Sequence, residues 1–515
     1  MATPSLAMIP SAYADSKVYS VLPNNGDGDF TFNRDSSATR VGQNGLIQTV
    51  GFFGNNLVTN GDFSNGSTDW GLGSNWSVAN GKASCDGSAS NSMSQASTVG
   101  IASTTFKVSY DVLSISQGSI RITLGGVAGS SVSQVGSYSD FITATSTDRL
   151  RIFADSSAIA SIDKIVVQQV TGDQPRLNYD ISNGVVQSCP SLLLEPASTN
   201  SFPNSEDYTV FGAFSNGTGT NPVITSNYSV SPDGTQNADR IQFNRGSGTS
   251  SSDTSYVTKS LSLGTIDATL SIYLKTNDGT TKDVTLRLGT GLFDHDVIVT
   301  SEWKRFALSG NTSVDRVQIL LYGNQNSQTA DLSCFGTQVE ALSYATSYIP
   351  TNGASQTRAA ETCNDAGTAS TFNDSEGVLY AEIAAISNSI STSVFSISDG
   401  SANNVLYIGF NATPNNITAQ LVVGGAAQTN INHTVSDRTS FNKVAVLFKN
   451  NDHKMFINGV QVATDTSGSV PSANTFDRVN FNFGQGSFPF QGNCKDIRVY
   501  NEALTNAQLQ TLTTL

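Results

Sequence analysis

Charge is scarce in this chain: only 13% of its 515 residues are Asp, Glu, Lys or Arg. Long solvent-facing helices need a charged or polar outer stripe, so this shortage argues against them. Three histidines in the whole sequence leave few candidates for a general base. The five cysteines, Cys85, Cys189, Cys334, Cys363 and Cys494, are scattered, with no C-x-x-C pair and no histidine at ligand spacing. That excludes a structural zinc site and predicts free thiols in a reducing compartment. No apolar run approaches the roughly 20 residues that cross a bilayer, so no membrane partner is expected. Met1 to Lys17 has no basic residue ahead of a hydrophobic core, and Leu6 to Pro10 is too short to be one. The expectation is assembly inside a cell and release by lysis. Lys and Arg are outnumbered 27 to 41 by Asp and Glu, a formal net charge of −14. A nucleic-acid binder needs clustered cations to displace counterions, so nucleic acid is excluded as a main partner.

What the chain has instead is Gly, Ser, Thr and Asn around short alternating apolar runs, such as Phe106 to Val112, Ile120 to Leu124 and Leu270 to Leu274. Period-2 alternation bounded by turn residues predicts strands, and many short strands in series predict β-sandwiches. The length is that of roughly three domains. In Lys454 to Val462, Asn458-Gly459 lies between alternating arms and supplies the two positive-φ residues of a type I′ hairpin. Thr505 and Gln508 form a capping box at the start of a short C-terminal helix.

Two distant stretches share a wording. Phe30-Thr31-Phe32-Asn33-Arg34-Asp35-Ser36-Ser37-Ala38-Thr39-Arg40-Val41, running to Gly45-Leu46-Ile47, is one; Pro175-Arg176-Leu177-Asn178-Tyr179, running to Ser191-Leu192-Leu193-Leu194-Glu195-Pro196, is the other. Together they resemble paired segments of bacteriophage structural proteins, in which the two often follow each other directly. Ser343 to Thr351 also matches phrasing of that family. The block opening Asn56-Leu57-Val58-Thr59-Asn60-Gly61-Asp62-Phe63 with Trp70, and closing Ile162-Asp163-Lys164-Ile165-Val166-Val167, resembles carbohydrate-binding jelly rolls. Ser64 stands where that pattern has an acid. The stretch from Gly377 to the C-terminal helix resembles a laminin-G or concanavalin-like sandwich.

The fold class expected is all-β: three β-sandwiches in series, two jelly rolls and one concanavalin-like, with an extended N-terminal arm. Its divisions are an arm over 1–54, an inserted jelly roll over 55–172, a junction pairing with the arm over 173–200, a second jelly roll over 201–353, a linker over 354–370 and a concanavalin-like sandwich over 371–515. On this reading the arm and the junction lie side by side, with the arm covered by a subunit or neighbouring domain.

Sugar binding is the chemistry best matched, because aromatic faces stack on pyranose rings while amides and carboxylates bond hydroxyls. Trp70 and Trp76, in a polar loop-rich segment, are the glycan-binding candidates; Trp303, in an alternating strand, reads as core. The jelly-roll resemblance implies Asp62 and Asp163 as ligands of a structural Ca2+, with no other cofactor. No catalytic set is expected. Glu376 and Glu382 lack the intervening acid of a glycanase strand and read as solvated edge charges, and Asp294-His295-Asp296 has no nucleophile elbow to serve. Gly125-Gly126 and Gly424-Gly425 lack the Lys and helix of a phosphate cradle and read as turns. The function expected is a non-enzymatic virion protein, a capsid decoration, head fibre or tail fibre. Its partners would be other virion proteins, further copies of itself and host surface polysaccharide. The alternatives are a secreted or cell-surface carbohydrate-binding adhesin and a capsule depolymerase.

Overall fold

Strand alternation does the building throughout. The computed structural model describes every residue except 1, 98, 172, 183, 290–293 and 324. The chain forms two compact units, one of Gly51–Thr171 with Ser198–Thr357, the other of Met1–Val50, Gly172–Ala197 and Arg358–Leu515. Apart from short 3-10 turns, the described structure is antiparallel strand with a single helix, Asn506–Thr513.

The first of these units holds two sandwiches. In one, Thr105–Gln117 alternates so that Phe106, Val108, Tyr110 and Val112 point inward. Those side chains meet Ile120, Ile122 and Ile152 of the facing sheet in one core. The other sandwich sets Thr265–Thr276 and Thr329–Glu340 against Lys282–Leu288 and Arg316–Tyr322. Its core contains Ile272, Leu274, Leu286, Ile319 and Leu332. Burying each such side chain contributes about 1.5–3 kcal/mol, which alternation secures at every second position.

The second unit is the C-terminal sandwich, and the arm and junction are strands of it. The long strand Gly492–Tyr500 pairs on one side with Glu376–Ala385. Its first residues also pair with Ser191–Leu194, Leu192 facing Cys494, and its later ones with Leu6–Met8, Leu6 facing Val499. An unpaired edge is thereby covered by two remote segments of the same chain. Leu6 and Met8 are fully buried. The arm thus finds its cover within its own chain, because this edge has backbone groups to satisfy and a hydrophobic face beside it.

Arm and junction bond to each other directly. Val41 N–H donates to Asn178 Oδ1 at 2.9 Å, and Tyr179 N–H to the Val41 carbonyl at 3.0 Å. Beneath them lies a buried ionic cluster of Arg34, Arg176, Glu195, Arg358 and Glu361. Glu361 accepts from Arg34 Nη1 at 2.9 Å, from Arg176 Nε at 2.8 Å and from Arg176 Nη2. It also accepts from the Glu195 N–H at 3.0 Å. Glu195 in turn binds Arg176 at 2.7 Å and Arg358 at 3.0 Å. The stretch 354–370 is therefore not the linker that its small residues suggest. It carries two members of this cluster, and its strand Thr362–Asn364 pairs with Phe30–Asn33. Desolvating so many ions is costly, and the cluster holds because nearly every charge meets an opposite one at hydrogen-bond distance.

The two local signals are present as read. Asn458 and Gly459 have φ of 48° and 81° between the strands His453–Ile457 and Val460–Asp465. Thr505 caps the helix, with Gln508 returning the bond. Leu509 and Leu512 of that helix pack on Val378, Tyr380, Leu447 and Phe456.

Candidate functional site

In the C-terminal sandwich one sheet runs through Ala426–Thr434, Asn416–Val423, Val405–Phe410 and Ser393–Ser398. Leu406, Ile408 and Phe410 fill the core, so the intervening Tyr407 faces outward. Register places Gln420 beside Tyr407 and Asn430 beside Gln420, an aromatic and two amides in one row across three strands. The next row ends in Asn432, whose Oδ1 accepts from Asn411 Nδ2 at 2.8 Å and whose Nδ2 donates to Asn430 Oδ1 at 3.2 Å. The amides are thus held in place before any ligand arrives.

A loop, 481–490, lies against one end of this face. Ser396 Oγ donates to the Asn482 carbonyl at 2.7 Å and Val394 N–H to the Phe488 carbonyl at 3.1 Å, which fixes the loop to the sheet. Phe483 packs edge-on to Tyr407 with centroids 5.2 Å apart, and Phe488 edge-on to Phe483 at 6.1 Å. Phe488 is 50% exposed and has φ of +50°, a left-handed conformation that bulky side chains avoid. The loop thus presents a half-exposed aromatic, in a strained backbone position, at the edge of a sheet face that carries Tyr407 and, on the strands beyond it, bonded amides. Burial pushes the Tyr407 phenol above its ordinary pKa, so it stays a neutral donor and acceptor.

The jelly-roll unit holds a separate cleft of about 850 Å³, lined by both of its sandwiches. Asp140, Glu206, Asp207 and Asp239 line it, with one cation, Arg121. Glu206 accepts from Tyr348 Oη and from Asn237 Nδ2, each at 2.8 Å. Burial, then the nearby Asp233 and Asp140 charges, raise its carboxyl to about 8. Asp239 accepts from the Tyr208 and Asn227 N–H groups at 2.8 Å each, yet burial still lifts it to about 7.

The residues singled out in the sequence sit elsewhere, and two change role. Trp70 and Trp76 are each only 6% exposed and belong to the first sandwich's core, so neither offers a face for a sugar. Their indole N–H groups are satisfied locally, Trp70 by the Asn60 carbonyl at 3.0 Å and Trp76 by that of Asn91 at 3.3 Å, which lets the rings bury. The segments of Asp62 and Asp163 meet where Ile165 N–H donates to the Gly61 carbonyl at 2.9 Å. Each carboxylate nonetheless accepts from its own turn, Asp62 from Ser64 N–H at 3.2 Å and Asp163 from Lys164 N–H at 2.7 Å. Among the described residues no three acids, histidines or cysteines converge as metal ligands. Trp303 is not sealed in the core; its Nε1 donates to the Val230 carbonyl at 3.2 Å and Lys275 lies over its ring. Glu376 binds Lys449 at 2.7 Å. Of the Asp294-His295-Asp296 run, His295 and Asp296 are exposed, and the Asp294 side chain lies outside the described residues. Tyr407, Phe483 and Phe488 were not singled out in the sequence; the signal was the Phe-x-Phe alternation among glycines at 481–490.

Residues 366–510 match the concanavalin A-like lectin/glucanases superfamily. Comparison with curated proteins gives no match. Among solved structures, the chain is similar to the CBM40 of the Ruminococcus gnavus IT-sialidase, at 19% identity over 28% of this chain and 84% of that one, TM-score 0.24. Domain 4 of a GH43 extracellular arabinanase from Geobacillus stearothermophilus, in complex with arabinotriose, is similar at 14% identity over 30% and 73%, TM-score 0.25. The CBM22 tandem domain of a Paenibacillus barcinonensis protein aligns at 10% identity over 57% of this chain and all of that one, TM-score 0.20. The protein is all-β, with a concanavalin-like C-terminal domain following β-sandwiches.

Proposed function

We propose that this chain is a non-enzymatic, glycan-binding structural protein of a bacteriophage particle, displayed as a capsid decoration, head fibre or tail-associated fibre. Glycan binding is carried by one observation: the half-exposed Phe488 packs on Phe483, which packs on Tyr407, and Tyr407 heads a row with Gln420 and Asn430 across the outer face of the sheet. An aromatic step with a preset hydrogen-bonding floor suits a pyranose chain lying across the sheet. The virion role rests on the paired sequence phrases alone; within the fold those phrases have a structural part. Arg34, Arg176 and Glu195, which carry the resemblance, are the ions that tie arm and junction to the sandwich. Glu376, an acid weighed for a glycanase role, is held in an ion pair with Lys449, which favours recognition over hydrolysis.

On an array of bacterial surface polysaccharides, the full chain should retain a defined set of glycans. Phe488→Ala should lose them by at least about tenfold in affinity with an unchanged melting profile, since the ring is half in solvent. Retention of every glycan by Phe488→Ala would refute the site. The virion role is tested by mass spectrometry of purified particles from the source virus, where absence of the chain would refute it.

A further inference from the structure

The acidic cleft of the jelly-roll unit has the makings of a second ligand site, independent of the Phe488 surface. Its walls contain polar atoms that folding has buried without a partner. The Tyr110 hydroxyl is one, on a residue only 2% exposed; Asn237 Oδ1 and Asn352 Nδ2 are the others. A buried polar group left without a hydrogen bond costs about 1–3 kcal/mol, so three around one cleft point to a ligand that completes them.

The cleft also specifies what that ligand carries. Four carboxylates line it against one guanidinium, and Arg121 lies over the Phe153 ring 5.6 Å away. Asp239 and Asp140 spend their bonds on local donors, Asp140 on Ser130 N–H at 3.0 Å and Ser130 Oγ at 2.9 Å. Glu206 receives one donor on each oxygen, leaving acceptor capacity on both. No described Lys or Arg pairs with it. Asn237, which donates to Glu206, carries the unpartnered Oδ1, so two kinds of acceptor sit side by side for a group with several N–H donors. Asn352 Nδ2 needs an acceptor, and the Tyr110 hydroxyl can take either, which calls for hydroxyls on the same ligand. The Tyr110 and Tyr138 rings are stacked on each other at 5.7 Å and both buried, so the ligand is held by its polar edge without aromatic stacking. The volume of about 850 Å³ is within the range of small-molecule sites.

We propose that this cleft binds an amino sugar in its ammonium form, with the ammonium on Glu206 and Asn237 Oδ1 and the ring hydroxyls on Tyr110 and Asn352. Glu206, which burial keeps protonated in the free fold up to about pH 8, ionises against the incoming ammonium and gives its proton to the buffer. The test is calorimetric titration of the full chain at neutral pH with the glucosamine disaccharide, using its di-N-acetylated form and cellobiose as comparators. The glucosamine disaccharide should bind saturably, at least about tenfold tighter than either neutral sugar. Glu206→Gln, which keeps the shape and its Tyr348 contact, should lose about tenfold, and Tyr110→Phe should weaken binding with tryptophan fluorescence melts unchanged. Phe488→Ala should leave this binding as it is, which separates the cleft from the glycan surface of the other unit. Equal binding of the neutral sugars, absence of saturable binding, or wild-type affinity in both Glu206→Gln and Tyr110→Phe would each overturn the proposal.

Discussion

Replacing Glu361 by Gln is the sharpest perturbation the fold offers, because one carboxylate there serves three segments of chain. It accepts from Arg34 and Arg176, 327 and 185 residues away in sequence, and from the Glu195 backbone. Gln keeps the volume but removes the charge and turns an NH2 group toward guanidinium donors. Arg34 and Arg176 then remain buried, with less negative charge to balance them. Breaking one partner of a buried ion set costs about 3–5 kcal/mol, a large share of a typical domain's 5–15 kcal/mol. In urea, a unit of this size should unfold about 1–2 M earlier. The assay can be made specific. Trp70, Trp76 and Trp303 all belong to the jelly-roll unit, so tryptophan fluorescence follows that unit alone. Hydrogen exchange by mass spectrometry on Gly492–Tyr500, Leu6–Met8 and Ser191–Leu194 follows the C-terminal sandwich. Protection in those three strands should fall together, with the tryptophan transition unmoved. Burial alone would raise the Glu361 carboxyl, but Arg176 foremost, with Arg34 and Arg358, holds it below its ordinary range. Its stabilisation is therefore present above the usual glutamate pKa and drains away as the pH falls below it, so wild type and Glu361→Gln should converge in acid. A loss of less than about 1 kcal/mol at neutral pH would refute the reasoning, since surface pairs give no more than that.

The cleft acids give the opposite pH dependence. Glu206, raised to about 8, is neutral in the fold and ionised in the unfolded chain between its ordinary pKa and that value. Its stabilising contribution is full in acid and is lost as the pH climbs to about 8. Urea midpoints read by tryptophan fluorescence should show Glu206→Gln gaining on wild type by up to about 1.4 kcal/mol per pH unit across that window; parallel curves would contradict the shift. Trp70→Ala and Trp76→Ala should each cost about 3–5 kcal/mol in the same assay, as large-to-small core changes do, and leave the array profile intact. A selective loss of glycans with unchanged stability would restore them as binding residues.

What could be read in the sequence follows from the range of the interactions concerned. Strand alternation is local, so Phe106, Val108, Tyr110 and Val112 announce a half-buried strand by themselves, as Asn458-Gly459 announces its turn. Trp70 misleads because its neighbours are polar; it is buried by packing into the first sandwich's core, including a tilted contact with Phe63 at 5.4 Å, and the bond from its N–H to Asn60, ten residues back, satisfies its polar edge there. Glu361 is hidden more deeply. In a stretch rich in Ala, Ser and Thr, Glu361 beside Arg358 and Asp365 reads as one of the solvated charges of a joint, and nothing within twenty residues shows that it meets Arg34 and Arg176. Once that meeting is known, the split wording has a physical reason. One carboxylate is bonded by two arginines, one from each phrase, and the second phrase also brings Glu195, which neutralises Arg358 at 3.0 Å. In this chain the block between the phrases leaves and returns at the cluster, so the two phrases meet across it. The physical constraint on this chain is therefore local to the ions: Arg34, Arg176 and Glu361 must meet, whatever the sequence between them builds.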